Sequence, residues 1–241
     1  MKKKTMEIYE NRDLLNLSID EEKYTGQKVD VRLDICETPQ QNSIFRNIIN
    51  DFHSYIDAKD TCNRRINWLI KNGKNEEILG AIGINSAILA LGARDRYIGW
   101  NKKQRMANLN KIANNYRFAM IFKGLGSQVL SALRKEAPLV WKLKYGDELV
   151  FFETLVKPPW DGTVYKASGW DSIGMTKGYA ISKLPIKLWK QGSGRRAELA
   201  KADKLVEYGI KKGDIIKVTR TAPKLIFVKP LRRNWRKYLL Q

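Results

Sequence analysis

The spacing of apolar residues predicts a strand and then a helix at the start of the folded part. From residue 28 to 35 every second residue is apolar, which is typical of a strand buried on one face. Pro39 breaks this strand. Ser43 then fits the N-cap of a helix, whose apolar face would carry Ile44, Ile48, Ile49 and Phe52.

A hairpin is predicted next. Residues 65–70 are a short apolar run, Asn72-Gly73 is a strong turn signal, and residues 78–84 return as the partner strand. Gly80 and Gly83 interrupt that second strand, which indicates a place where another backbone or a ligand lies close.

The second half of the chain alternates between helices and strands. Residues 86–114 are predicted to be mostly helical, with an interruption at 94–100. A strand over 115–122 leads into a glycine loop at 124–127 and an amphipathic helix. Further strands are predicted at 148–156, 163–168 and 224–228. This order predicts an α/β fold, a mixed sheet flanked by helices.

The excess of basic over acidic residues is largest in the last quarter of the chain. The 45 Lys and Arg against 25 Asp and Glu give a net charge of +20, which favours a polyanionic partner. Residues 186–241 hold 16 basic and 4 acidic residues, with aromatics interleaved. Aromatic rings beside cations can stack on unpaired bases. A solubilising tail or a solvated helix face would give the same composition.

Other bulk features set limits. The sequence contains no run of 18 apolar residues, so no membrane span is expected, and the basic start lacks the apolar region of a secretory signal. Cys36 and Cys62 have no zinc-site spacing, and with His53 as the single histidine neither a zinc finger nor a zinc deaminase is expected. The expected compartment is the reducing cytoplasm.

The glycine loop is a candidate anion site. Gly124, Gly126 and Ser127 follow a strand and open a helix, so backbone N–H groups and the helix dipole favour a phosphate there, and Lys123 adds a cation. The loop is neither a Walker loop nor a dinucleotide fingerprint. A helix start that needs glycine only for packing is the alternative.

The block from Gly162 to Trp170, closed by Gly174-Met175-Thr176, is the most site-like stretch. It follows an apolar run that contains Glu153, and it brings a phenol, a buried carboxylate and a tight turn close together. Burial would raise the pKa of Glu153 and suit it to accept a proton. Glu153 could equally pair with Arg117, and Tyr165 could be a half-buried sheet residue. Arg94 and Asp95 are expected to form an ion pair near Trp100.

These motifs carry two resemblances. The strand–loop–helix unit resembles the GCN5-related acyltransferase fold, in which the loop after the fourth strand cradles the pyrophosphate of acyl-coenzyme A. Residues 80–178 resemble the Druantia anti-phage protein A family. The matching motifs are Ala93 to Trp100, Asn114 to Phe118, Ser127 to Ser131, Glu153 to Val156 and Gly162 to Thr176.

A weaker resemblance is to bacteriophage Mom-type DNA-modification proteins, which share an acyltransferase-like fold. It implies modification of an adenine amine in DNA with an acyl-coenzyme A-like donor, and it also implies iron; no metal ligands are assigned. The Druantia resemblance implies a role in phage defence or on a mobile element, with other proteins of that system as partners. Here the early His-Tyr pair is split as His53-Ser54-Tyr55, and the phosphate loop is only approximate.

The resemblances and the motifs together give three sets of candidate residues. Catalytic roles are expected for His53, Tyr55, Glu153 and Tyr165. Donor binding is expected for Arg117, Lys123, Gly124, Gly126 and Ser127. Nucleic-acid binding is expected for Trp170, Arg195, Arg196, Lys211, Lys212, Arg232, Arg233 and Arg236.

The sequence is therefore interpreted as a polar arm over 1–27, a GCN5-related acyltransferase-like core over 28–185, and a basic C-terminal extension over 186–241 that binds nucleic acid and ends in a strand. The favoured function is a DNA-directed acyltransferase-like enzyme that modifies a nucleobase amine, adenine first. One alternative is a non-catalytic DNA-binding subunit of a defence or transposition system. Another is an N-acyltransferase for a small molecule or a protein.

Overall fold

A computed structural model of the chain describes residues 19–52, 64–89, 91–183, 197–199 and 215–240. Ten strands lie in these ranges: β1 Val31–Ile35, β2 Arg65–Asn72, β3 Ile78–Ser86, β4 Ile112–Met120, β5 Phe151–Val156, β6 Asp171–Met175, β7 Tyr179–Lys183, β8 Ala197–Leu199, β9 Ile215–Arg220 and β10 Leu225–Pro230. The helices are α1 Pro39–Phe52, α2 Gly92–Ile98, α3 Lys102–Asn108, α4 Gly126–Tyr145, α5 Thr163–Ala167 and α6 Trp235–Leu239, with a 3-10 turn at Leu109–Lys111.

Seven strands form the main sheet in the order β1-β2-β3-β4-β5-β10-β6, and β7-β9-β8 form a second, three-stranded sheet. In the main sheet β4 and β5 are parallel, and the other neighbours are antiparallel. The predicted mixed α/β sheet flanked by helices is confirmed. The unit that the resemblance implies, a glycine loop and helix after the fourth strand, is also present.

The predicted hairpin is confirmed, since β2 and β3 pair antiparallel around the turn at Asn72-Gly73. Crowding explains Gly80 in β3, because a Cβ there would collide with the backbone carbonyl of Ala119. The Ser43 cap is wrong. Helix α1 begins four residues earlier, with Pro39 in its first turn, where a missing N–H costs nothing, and the Thr38 hydroxyl accepts from the Gln41 N–H at 3.1 Å.

Two further segments differ from their predictions. Residues 163–167 are helical rather than extended, because Asp161 accepts from the Thr163 N–H at 3.0 Å and starts a helical turn. The predicted interruption at 94–100 is itself largely helix α2, which ends at Gly99 with φ +91.

The last strand is not peripheral. Strand β10 lies between β5 and β6 in the main sheet, and Trp235 and Leu239 of α6 are buried in the core beside it. Residues 225–240, expected to end a basic extension, are therefore part of the main sheet and its packing.

Side chains project alternately from the two faces of the main sheet, which we call the first face and the second face. The first face contains Trp68, Ile82, Asn115, Thr154 and Phe227, and helices α4 and α5 cover it, with Trp68 Nε1 donating to Glu136 of α4. The second face contains Asn67, Gly83, Asn85, Asn114, Arg117, Glu153 and Val228. It faces helices α1 and α2, which contact it through Phe45 and Arg94.

The parallel pair β4/β5 is short. Three residue pairs join the strands, ending with Asn114 beside Glu153, although β4 continues to Met120 and β5 to Val156. A shift in register between β3 and β4 lies next to this point, where Gly83 pairs with Arg117 and Ile84 pairs with Asn115. The two strands consequently stop pairing in the middle of the sheet, and we call this place the strand divergence.

Candidate functional site

A group of hydrogen-bonded polar side chains lies next to the strand divergence on the first face. Tyr165 of α5 is buried, and its hydroxyl donates to Asn115 Oδ1 at 2.7 Å. The Asn115 amide in turn donates to the carbonyls of Gly83 at 2.9 Å and Arg117 at 3.0 Å. Thr154 Oγ1 donates to the Asn115 carbonyl at 2.8 Å. These bonds fix the Asn115 amide, so the phenolic proton of Tyr165 has a defined direction.

Aromatic rings hold Tyr165 in place. Its ring stacks on Phe227 at 5.7 Å and meets Trp170 edge-on at 5.0 Å. Trp170 also stacks on Phe152 at 6.0 Å and is 6% exposed. The structure therefore places Trp170 in the core with its ring covered, rather than on a surface open to a base.

The glycine loop lies beside the first face. A Cβ at Gly126 would collide with Val164, and one at Gly124, with φ +80, would press on Thr25. Packing thus accounts for both glycines. The first turn of α4 still has no side-chain cap, so its N–H groups at 126–128 keep the capacity to bind an anion.

Lys123 does not contribute free charge to this loop. Its ammonium lies 3.2 Å from Glu21 and 3.0 Å from Glu22, and the hydrogen bonds to these carboxylates raise its pKa. The backbone N–H of Lys123 donates to Glu21 O at 2.8 Å. An anionic ligand here would be held by the N–H groups at the start of α4, because Glu21 and Glu22 already neutralise the charge of Lys123.

Glu153 lies on the second face, opposite to Tyr165. Its Oε1 accepts from the Ile88 N–H at 2.6 Å and its Oε2 accepts from Arg94 at 2.8 Å, with both side chains fully buried. Arg94 also binds Asp95 at 2.7 Å, and Asp95 binds Arg105 at 3.0 Å. Burial lowers the pKa of Arg94, but the charges of Glu153 and Asp95 outweigh burial and keep it above the usual value.

This charge network corrects one expectation and confirms another. Arg117, the suggested partner of Glu153, lies farther along β4 and donates to the Tyr116 carbonyl at 3.0 Å. Arg94 takes its place. The predicted Arg94–Asp95 ion pair near Trp100 is confirmed, with the guanidinium 5.4 Å from that ring.

Two amides form an uncommon feature in the middle of the second face. Asn114 Nδ2 donates to Asn85 Oδ1 at 3.0 Å, and Asn85 is 7% exposed. Within the described ranges no other group binds these two side chains, so the Asn85 amide nitrogen and the Asn114 amide oxygen are available to a ligand. Asn114 is half-buried, and the two amides together present a donor and an acceptor that suit the edge of a planar ligand. Sequence periodicity did not identify this pair, although the polar run Asn114-Asn115 inside a strand was a signal.

The predicted sites are therefore divided between the two faces. Tyr165, Gly124, Gly126 and Ser127 belong to the first face and its loop, whereas Arg117 and Glu153 belong to the second. Arg232 pairs with Glu148 at 3.0 Å, while Arg233 and Arg236 are exposed next to and on α6. His53, Tyr55, Arg195, Arg196, Lys211 and Lys212 lie outside the described residues.

No group of three or more His, Cys, Asp or Glu side chains among the described residues could hold a metal ion. None of the described helices combines the length and the apolar character that crossing a membrane requires.

Comparison with known proteins gives one family and several distant structures. The family model of Druantia protein DruA matches residues 1–241, and no curated protein matches. FeeM, an N-acyl amino acid synthase from uncultured soil microbes, has a TM-score of 0.42 at 16% identity, over 88% of this chain and 96% of its own.

Two acetyltransferases are similarly distant. The ribosomal-protein-S18-alanine N-acetyltransferase from Escherichia coli has a TM-score of 0.41 at 10% identity, over 85% of this chain and 97% of its own. A Bacillus subtilis acetyltransferase in complex with CoA has a TM-score of 0.41 at 10% identity, over 85% and 100%. All three TM-scores lie below 0.5, and nothing about activity follows from them.

Proposed function

The chain belongs to the family of Druantia protein DruA, and on that premise we propose that it is an N-acyltransferase of phage defence that modifies a nucleobase amine in DNA. The observation that carries the proposal is the strand divergence, where β4 and β5 separate beside a buried phenol on one face and an unfilled amide pair on the other. The net charge of +20 supports a nucleic acid as the acceptor.

The first face suits an acyl donor with a phosphate. The uncapped first turn of α4, at Gly126 and Ser127, fits that phosphate through backbone N–H groups. Lys123 fits less well, because Glu21 and Glu22 already match its charge. Such a donor supplies an activated acyl group.

Tyr165 is the proton donor in this proposal. Its phenolic proton is held on Asn115 Oδ1 at 2.7 Å, beside the place where the strands separate. Tyr165 gives that proton to the atom that leaves the acyl carbon as the amine nitrogen bonds to it. The phenol is reprotonated, through solvent, by the proton that the amine loses. A positioned acid of this kind contributes about 10²–10⁴-fold to a rate.

The second face suits the acceptor. Asn114 and Asn115 are successive residues whose side chains lie on opposite faces of the sheet. A nucleobase bound at Asn114 and an acyl donor bound at Asn115 would therefore meet through the strand divergence. The Asn85 amide nitrogen and the Asn114 amide oxygen together offer a donor and an acceptor, the two groups that the N6 and N7 edge of adenine requires. Adenine is accordingly the base we favour.

The test is nucleoside mass spectrometry of DNA from bacteria that express the chain. We expect a new adenosine-derived mass with the unchanged protein, and its loss with Tyr165→Phe and with Asn85→Leu. Tyr145→Phe is the matched control, because Tyr145 lies on a different helix, α4, where its hydroxyl donates to the backbone carbonyl of Arg65 at 2.7 Å. Equal modification by Tyr165→Phe and Tyr145→Phe would remove Tyr165 from the mechanism.

A non-catalytic DNA-binding protein is the second candidate. It is favoured by Glu153, the carboxylate nearest the strand divergence, because two hydrogen bonds and complete burial hold it away from any ligand. Unmodified DNA together with salt-sensitive binding by the purified chain would decide for this function. Binding that barely responds to salt would instead favour a small-molecule or protein acceptor.

A further inference from the structure

Helix α4 exposes two leucines that do not belong to the hydrophobic core. Leu139 is 66% exposed and Leu143 is 88% exposed. The residues of α4 that pack into the core, among them Leu133, Ala137 and Trp141, lie on the opposite side of the helix. Because Leu139 and Leu143 are one turn apart, their side chains are neighbours, and they form one apolar patch on the solvent-facing side.

Basic side chains flank this patch. Lys135 lies one turn before Leu139, and Lys142 lies beside Leu143; both lysines are exposed. We call Lys135, Leu139, Lys142 and Leu143 the leucine strip. No acidic side chain among the described residues forms an ion pair with Lys135. The leucine strip is therefore both apolar and positively charged.

The carboxylates in and just after α4 are already in use. Glu136 is the one acidic residue of the helix, and it accepts a hydrogen bond from the buried indole of β2 at 3.0 Å. Asp147 pairs with Arg64 at 2.6 Å, and Glu148 pairs with Lys142 at 3.1 Å. Because the Glu148–Lys142 pair is exposed, it is weak, and a carboxylate of a partner can replace it.

We infer that the leucine strip binds an acidic amphipathic helix of a partner protein. From Lys135 to Leu143 the strip covers about 12 Å of the helix axis, the length of about two turns of a facing helix. Apolar side chains on such a helix pack against the two leucines, and carboxylates beside them pair with the two lysines. This complementary charge determines which partner is accepted.

Other occupants fit the strip less well. A second copy of the chain would bring the same basic strip and the same net charge of +20 against it. A nucleic acid would use the lysines, but bases stack on aromatic rings rather than on leucines. A membrane surface binds a helix with a large apolar face, whereas this patch covers one turn. The strip lies on the half of α4 away from the donor loop, so it is separate from the proposed reaction.

The test measures binding of a designed acidic peptide to the full chain. The peptide is a fluorescent helix of about five turns, with leucines on one side and glutamates beside them. Leu139→Gln and Leu143→Gln keep the net charge and a good helix former, and we expect each to weaken binding about tenfold or more. Met106→Gln is the matched control, because Met106 is 60% exposed on α3, and it should bind as the unchanged chain does.

A second pair of variants tests the charge. Lys135→Gln should weaken peptide binding about two- to fivefold, whereas Lys103→Gln, which removes an exposed lysine of α3, should weaken it less. A peptide with lysines in place of the glutamates should not bind. All of these variants should unfold at the denaturant concentration of the unchanged chain, because the replaced side chains are exposed.

Equal peptide binding by Leu143→Gln and Met106→Gln would overturn the inference, as would the absence of peptide binding by the unchanged chain. The same two variants are compared by sedimentation, with a single-stranded oligonucleotide, and with vesicles that contain phosphatidylserine. If Leu143→Gln keeps peptide binding but loses self-association, oligonucleotide binding or vesicle binding, the strip belongs to a second copy, a nucleic acid or a membrane instead.

Discussion

Two cations among the described residues, Arg94 and Lys224, lie in opposite electrostatic surroundings. In the charge network Glu153 and Asp95 neutralise Arg94 and Arg105, at distances of 2.7 to 3.0 Å. Burial lowers the pKa of Lys224, and the positive charges of Lys157 and Arg117 lower it further. The network joins β5 to α2 and the loop before it, and so serves the fold. The charged form of Lys224 therefore opposes the folded state.

Breaking the network should have the largest effect. Arg94→Met leaves Glu153 buried without its ion-pair partner, and removal of one member of a buried pair costs about 3–5 kcal/mol in the free energy of unfolding. Denaturant unfolding of the purified chain measures this loss. For the same reason, Glu153→Gln would report on stability before it reported on chemistry.

Arg96→Met is the control for that experiment, since Arg96 is an exposed neighbour on the same helix. It should change the free energy of unfolding by less than about 0.5 kcal/mol. Equal losses for Arg94→Met and Arg96→Met would mean that the network does not stabilise the fold.

The strands of the sheet could be predicted because their signals are local. The alternation before Pro39 and the Asn72-Gly73 turn each depend on a few adjacent residues, and both predictions hold. The strand–loop–helix unit at β4 and α4 was equally visible, because it needs only an apolar run followed by glycine and an amphipathic segment.

The Tyr165 segment shows where local signals fail. Five residues are too few to separate a period of 2 from one of 3.6, and what decides is the Asp161 cap together with the Phe227 ring. The partner of Glu153 was missed for another reason. Arg117 and Arg94 are both plausible by type, and only the three-dimensional packing of helix α2 against β5 selects Arg94.

Removal of the Lys224 charge should change the free energy of unfolding with the opposite sign. The lowered pKa of Lys224 means that its charged form destabilises the folded state at neutral pH. As pH rises from neutral towards 10.5, the folded chain loses this proton before the unfolded chain does, so its stability increases. Lys224→Met should be more stable at pH 7, by less than about 1 kcal/mol, with the difference closing near pH 10.5. A variant that is less stable at pH 7 would contradict the repulsion.

Tyr97 should give the smallest effect, and only in alkali. Burial and then the hydrogen bond to Asp171, at 2.6 Å, raise its pKa to about 12, while Arg236 acts against them. The folded chain therefore keeps a phenolic proton that the unfolded chain releases near pH 10, so the stabilisation is present below pH 10 and is lost as pH rises towards 12. Unfolding at pH 9 and 11.5 should show a smaller alkaline loss for Tyr97→Phe than for the unchanged chain. Equal losses would show that the Asp171 contact does not hold the proton, and that charge at this edge of the sheet is screened by solvent.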